Sequence, residues 1–352
     1  MRGFKSFCML AIIATAALLL SADALPAPDS GCCGKIVVAD RDDGTISVID
    51  VRTDQLSGTY SLPADVNPPE PMYVTYIRAH RRVLVGDRAN NRVVAFSAKD
   101  FGVQGTVDAG AGVFHMWSDT LWNRQLWVNN DIDNTTTVID PRNLTVLGTV
   151  DTPADLVAQG GKPHDVILDP LGFFAYVSVV GIPGNNDYVV QYSTRSFAEI
   201  RRAAVGKDPH LSLATWNSNL FVPCQSSDTV YVLNRRTLAP VKEIAVPGAH
   251  GAAMTGNGRY FYTTNLPGGG VDGLYTVDAR RLKVVGDPVD TPYAVPHNIA
   301  LTSNGRKLYV THSEASNKVT IYTIRKRGHR PVYSGEVTAG ATPFGLAYVP
   351  KH

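Results

Sequence analysis

The sequence predicts an all-β protein: a seven-bladed β-propeller of four-stranded antiparallel blades, closed by pairing of N- and C-terminal strands in one blade. Three observations carry this. Short apolar segments, most of them headed by a histidine, recur about every 40–50 residues, the period of a repeat architecture. Between them lie short β-rich runs separated by Gly, Asp, Asn and Pro turns, with no sustained helical periodicity. The last run of the chain supplies the strand that the first runs lack.

The elements follow in order. Arg2 and Lys5, an apolar run over 7–20 and the small-residue pattern Ala22-Asp23-Ala24 read as a secretory signal over 1–24. The apolar run is short for a membrane span and has no charged stop-transfer flank. A Pro/Ser/Gly/Cys leader follows over 25–34, and a single propeller domain over 35–352. The expected location is therefore secreted, extracellular or periplasmic, with no membrane span. Formal net charge is +2, and basic residues cluster only at Arg325-Lys326-Arg327, which argues against nucleic acid as a partner. After cleavage Cys32, Cys33 and Cys224 remain, compatible with one disulfide whose pairing the spacing does not fix. Asn134-Thr135-Thr136 and Asn143-Leu144-Thr145 are sequons, so a eukaryotic host would make a glycoprotein.

The repeating unit is clearest near the end. PHNIALT reads as an inner strand, SNGR as a turn, and KLYVTH, KVTIYTI and VYSGEVT as the second, third and fourth strands. PHDVILD, FAYVSVV, DYVVQYS, EIRRAAV and PHLSLAT, NLFVPC, TVYVLNR, PVKEIAV match it. Six complete blades fall near 71–110, 111–153, 162–206, 207–248, 249–292 and 294–340. The remaining blade takes three strands from 35–62 and its inner strand from 342–349, which ties both ends of the domain down.

LYVTHSEASNKVTIYTI, IVVADRDDGTISVIDVRT and LWVNNDIDNTTTVIDPR carry the pattern "YVTN … TVSVID". The chain thus resembles the YVTN-type propeller family, close to lactonase-like, quinoprotein-like and nitrous-oxide-reductase-like propellers. The resemblance covers nearly the whole mature chain and implies the fold; it does not select an activity.

The candidate site comes from the register. His115, His164, His210, His250 and His297 head five consecutive inner strands, and Met72 and Phe344 fill the same slot in the other two. Residues at one height of the inner strands meet at one mouth of the channel. Two positions on, Val74, Trp117, Val166, Ser212, Ala252, Ile299 and Leu346 are expected to form a dry plug. The second strands end at Asp40, Asp87, Asn130, Val179, Cys224, Asn265 and His312 on the same face, beside long loops over 151–162 and 180–187. Neutral imidazoles converging on an axis suit a transition-metal ion, copper or iron in first place, manganese or zinc as alternatives. Asp165, Asn298 and Cys224 are candidates for supporting those ligands, and His312 for an acid–base role. The bland alternative is a set of hydrogen-bonded structural histidines.

Three functions stay open. The first is a copper- or iron-dependent oxidoreductase on a small organic substrate. The second, by resemblance to manganese-dependent propeller lyases, is metal-assisted cleavage of a uronate or polysaccharide. The third is a non-catalytic secreted binding or adhesion propeller. The expected partner is accordingly a small-molecule or saccharide substrate.

Overall fold

The computed structural model describes residues 33–268, 270–314, 316–325 and 329–351. Seven antiparallel sheets stand around a common axis. In the first blade the order from the axis outward is Pro343–Pro350, Gly34–Asp40, Thr45–Asp50, Gln55–Ser61. The terminal strand pairs along Gly34↔Pro350, Lys35↔Val349 and Ile36↔Tyr348, closing the ring as the sequence predicts. The first strand begins at Gly34, one residue earlier than expected. The signal and leader residues 1–32 lie outside the described residues, and so does Cys32. No helix of the described residues is long and apolar enough to cross a membrane.

Middle strands such as Ile36–Asp40 within the first strand are buried without interruption, whereas outer strands such as Gln55–Ser61 are largely exposed. The physical reason is that each blade packs both faces against its neighbours, so its middle strands need apolar side chains on both sides. The core is accordingly divided. Each of the seven junctions between neighbouring blades has its own apolar cluster, for example Val37, Val48, Val83 and Phe96 between the first two blades.

The sequence pattern now has a mechanical meaning. Asp40, at the end of a second strand, accepts hydrogen bonds from the Thr45 and Ser47 hydroxyls and from the Gly340 N–H of the last blade. Asn130 bonds the equivalent hydroxyls in the opposite sense, its Nδ2–H donating to Thr135 and Thr137. Asp87 takes the Glu70 N–H and the Arg92 guanidinium. The third-to-fourth strand turns are equally regular. Asp50, Asp140, Asn234 and Asp278 accept backbone N–H groups two residues on, and the fifth residue of each turn is left-handed. That fifth residue is bulky in several of the turns; Leu238 and, after Ser97, Phe101 stand at φ 55° and 58°. Such bulky residues rarely adopt this conformation. Here their side chains are buried between blades, which offsets the strain.

The fifth blade departs from expectation. PHLSLAT does not form a regular strand. Its inner edge is reduced to the bridges Pro209↔Cys224 and Ser212↔Phe221. In neighbouring blades the backbone N–H after the slot residue donates to a second-strand hydroxyl: Asp165 to Ser178, Gly251 to Thr264, Asn298 to Thr311. The second strand of the fifth blade offers Pro223 in that neighbourhood, and Leu211 N–H turns instead to the Asp165 carboxylate of the fourth blade.

Two outcomes follow. A chain ending at residue 342 exposes the inner edge of Gly34–Asp40 and opens the ring. It should lose the cooperative thermal transition seen by near-ultraviolet circular dichroism; an unchanged transition would refute the closure. Asp40 is fully buried among uncharged partners, and burial raises its pKa from 3.8 to about 6. The folded state therefore holds this proton more tightly than the unfolded one. Its stability contribution is complete below about pH 4 and is lost as pH rises to about 6, on the order of 3 kcal/mol in all. Asp40→Asn keeps an acceptor for Gly340, so denaturant titrations should show variant minus wild-type stability rising across that window. A flat difference would contradict it.

Candidate functional site

Strand pairing fixes which residues share a height. Pro71, Val113, Pro163, Pro209, Ala249, Pro296 and Pro343 face the ends of their second strands. The residues that follow them are Met72, Phe114, His164, His210, His250, His297 and Phe344. The third blade is therefore shifted by one from the sequence reading: its slot holds Phe114, and His115 is the next residue. The hairpin joining its first two strands is one residue longer than in the second and fourth blades, which hid the shift. The histidines are also the second or third residues of their strands rather than the first.

Six of the slot residues form a closed circuit of rings. Consecutive centroids lie 5.3 Å apart for Phe114–His164, 4.8 Å for His164–His210 and 3.8 Å for His210–His250. The circuit continues with 4.7 Å for His250–His297, 4.2 Å for His297–Phe344 and 6.3 Å for Phe344–Phe114. Met72 of the seventh slot packs into the apolar core instead. A bulge just after the slot brings the following residues in as a second tier. There Tyr73 stacks on His115 at 3.7 Å, while Gly251 and Gly345 leave no side chain. A Cβ on Gly251 would lie 1.9 Å from the His297 carbonyl oxygen, so only glycine permits this approach of the two inner strands.

The imidazoles are held from behind. Asp165 Oδ1 is 3.0 Å from His115 Nδ1, and its other oxygen accepts the Leu211 N–H at 2.7 Å. Asp165 thus orients His115 of the preceding blade, not the adjacent His164, and ties three blades together. His250 Nδ1–H donates to Gln225 Oε1 at 2.7 Å. His297 Nδ1 lies 3.0 Å from Asn298 Nδ2 and 2.9 Å from Ser313 Oγ. Gln225, Ser313 and Asp208 escaped sequence reasoning, because each stands in an ordinary turn and only the assembled ring brings it to an imidazole. Asp208 Oδ1 is 3.7 Å from His164 Nε2 and 3.9 Å from His210 Nε2, and burial beside Asp187 raises its pKa.

Burial and mutual repulsion disfavour protonation of His164, His210, His250 and His297. Burial, reinforced by neighbouring imidazoles, lowers the pKa of His164 and His297 to about 3. It lowers those of His210 and His250 well below the ordinary value. The Nε2 atoms of His115, His164, His210 and His250 are buried and make no hydrogen bond. A buried polar atom left so costs on the order of 1–3 kcal/mol. One ligand atom each from His115, His164 and His210 lie within 4.8 Å of one another, so the three can hold a metal ion. That donor set suits copper, iron or zinc.

The remaining candidates lie apart from this cluster. His312 is fully buried, its Nδ1–H donating to the Ala294 carbonyl and its Nε2 facing Thr320 Oγ1, both at 2.9 Å. It occupies the place of Asp40 and Asn130 and makes the same kind of blade-internal bond, leaving no ring nitrogen for substrate. Cys224 is buried in the cluster between the fourth and fifth blades, forms no disulfide and touches the Val222 carbonyl.

The expected dry plug is absent. Below the imidazoles runs a cavity of about 470 Å³, reached by His115, His210 and His250 and lined by Val74, Met116, Val166, Ala252, Ile299 and Leu346. Met116 takes the place predicted for Trp117, which lies lower in the channel and is 41% exposed. The face carrying the slot residues is instead covered. Arg41 lies over Phe344 and Arg88 over Phe114, each guanidinium paired with an acid, Glu70 and Asp131. The loops over 151–162 and 180–187 do meet on that face, packing at Gly160 and Gly181.

Neither a protein-family model nor a curated protein matches this chain. Solved structures do match in fold. Hydrazine synthase of Kuenenia stuttgartiensis superposes with a TM-score of 0.67 at 16% identity, covering 81% of this chain and 91% of that one. The periplasmic gluconolactonase of Pseudomonas aeruginosa gives 0.68 at 16%, covering 90% and 99%. A putative 6-phosphogluconolactonase of Bacteroides fragilis gives 0.69 at 15%, covering 90% and 98%. At such identities the likeness is one of fold, consistent with the lactonase-like propeller resemblance.

The Asp165 geometry yields a direct expectation. Asp165→Asn weakens the hold on His115 Nδ1, and loss of such an outer hydrogen bond typically costs about 10–100-fold in metal affinity. Competition titration with a chelating dye should show this with an unchanged circular dichroism spectrum. Undiminished affinity would remove Asp165 from the site.

Proposed function

We propose that the protein is a metal-dependent oxidoreductase acting on a small organic substrate, with one copper or iron ion held by His115, His164 and His210. The observation that carries this reading is the convergence of imidazoles whose buried Nε2 atoms make no hydrogen bond. A structural histidine would have both nitrogens engaged, as His312 does. A bound copper or iron ion supplies one-electron chemistry at an open coordination position. The chain's own residues prepare that position. Asp165 keeps a proton on His115 Nδ1, so that Nε2 offers its lone pair. The aromatic circuit and the arginines above it keep water from the upper side. The substrate path is the cavity below.

The lyase reading has less support. It needs a free base and cationic groups for a uronate. Asp165 already accepts ring and backbone N–H groups, and Arg78 is the one guanidinium among the described lining residues. Three imidazoles are also a poor match for manganese, which prefers oxygen ligands. Secretion, on the reading of residues 1–24, would place this chemistry outside the cytoplasm.

The test is reconstitution of purified protein. The expected result is about one copper or iron per chain, with a paramagnetic signal carrying nitrogen couplings, and oxygen consumption with small phenols or thiols. His164→Ala combined with His210→Ala should abolish all three and leave the fold intact. Stoichiometric manganese with uronate cleavage would favour the lyase, and no stoichiometric metal would leave a binding propeller.

A further inference from the structure

The cavity beneath the imidazoles has a chemistry of its own. Its middle is walled by Val74, Met116, Val166, Ala252, Ile299 and Leu346, one from each of six blades. Beside this middle tier the lining hydroxyls are those of Thr75 and Ser212; Ser118, Thr120, Thr215 and Ser303 follow further along the chain from the inner strands, toward the far mouth. Thr75 already donates to the Met116 carbonyl at 2.9 Å, and the backbone of Ser212 is paired with Phe221. Among the described lining residues the charged groups stand at the two ends, Asp165 by the imidazoles and Arg78 toward the far mouth. A sugar resting in the middle tier, against the imidazoles, would surrender water around every hydroxyl and find few partners there, an unfavourable exchange. A flat or chain-like hydrocarbon loses nothing of that kind and gains dispersion contacts on all sides.

We infer that the channel takes a neutral, hydroxyl-poor organic molecule, aromatic or aliphatic, which enters at the mouth lined by Trp117 and rests against His115 and His210, and that it excludes saccharides. The inference deepens the proposed function and rests on it for the role of the floor; the binding itself depends on the walls alone. Access is from the face opposite to the slot residues. Trp117, half-exposed in the channel, is the first aromatic surface an entering molecule meets. A cavity of about 470 Å³ suits one small ligand.

The experiment uses the full chain without added metal and the neutral fluorophore N-phenyl-1-naphthylamine. The expected result is one saturable site per chain, with tryptophan emission quenched as probe fluorescence rises. 1-Naphthol should displace the probe, and gluconolactone or galacturonate should not. Ala252→Trp and Leu346→Trp each fill the channel midway and should weaken binding at least about tenfold, while copper stoichiometry stays that of the wild type. Displacement by the sugars, or probe affinity unchanged in both filled variants, overturns the inference. If one variant fails to fold, the other and the competition series still decide. Binding that behaves as expected in a protein unable to hold metal would sink the oxidoreductase reading and leave this one standing.

Discussion

Everything at the axis depends on closure of the ring by pairing of Pro343–Pro350 with Gly34–Asp40. That pairing joins the last blade to the first and completes the seven apolar junctions. Without it the inner strands would not be held at a common height, and side chains distant in sequence would not meet. The hydrogen bond from Gly340 N–H to Asp40 makes the same join at the level of the repeat motif. The cost is an acid buried without a cation, which the propeller tolerates because three donors converge on it.

Closure also explains the state of the histidines. Imidazoles crowded at centroid separations of 3.8–4.8 Å, as His164, His210, His250 and His297 are, cannot all be protonated. Burial makes protonation worse. The folded ring therefore presents lone pairs, and hydrogen bonds accepted by Asp165 and Gln225 decide which nitrogen points inward on His115 and His250. The asymmetry is informative. Phe114, Phe344 and Tyr73 take up one side, so donors accumulate over the third to fifth blades, and the cavity opens beneath them.

The fold was legible because its signals are periodic: the same turn chemistry and apolar runs return blade after blade. The slot was legible for His164, His210, His250 and His297 for the same reason. It failed at His115, because an extra residue in one hairpin and the bulge in the regular inner strands change register without changing composition. The bulge also turned the predicted plug into a channel wall, with Met116 in place of Trp117. His312 looked like a site residue because histidine is scarce, yet it replaces the Asp or Asn of the repeat, a substitution visible only once its bonds to Ala294 and Thr320 are seen. Asp208 and Gln225 carried no signal at all, since their roles exist only across blades.

The central claim is that His115, His164 and His210 jointly bind one ion. The most direct measurement is anomalous X-ray scattering from crystals of copper- or iron-loaded protein, collected on both sides of the metal's absorption edge. A single peak at about 2.0–2.1 Å from the three Nε2 atoms is the predicted result. A peak elsewhere, or none at a concentration that saturates binding in solution, would contradict it.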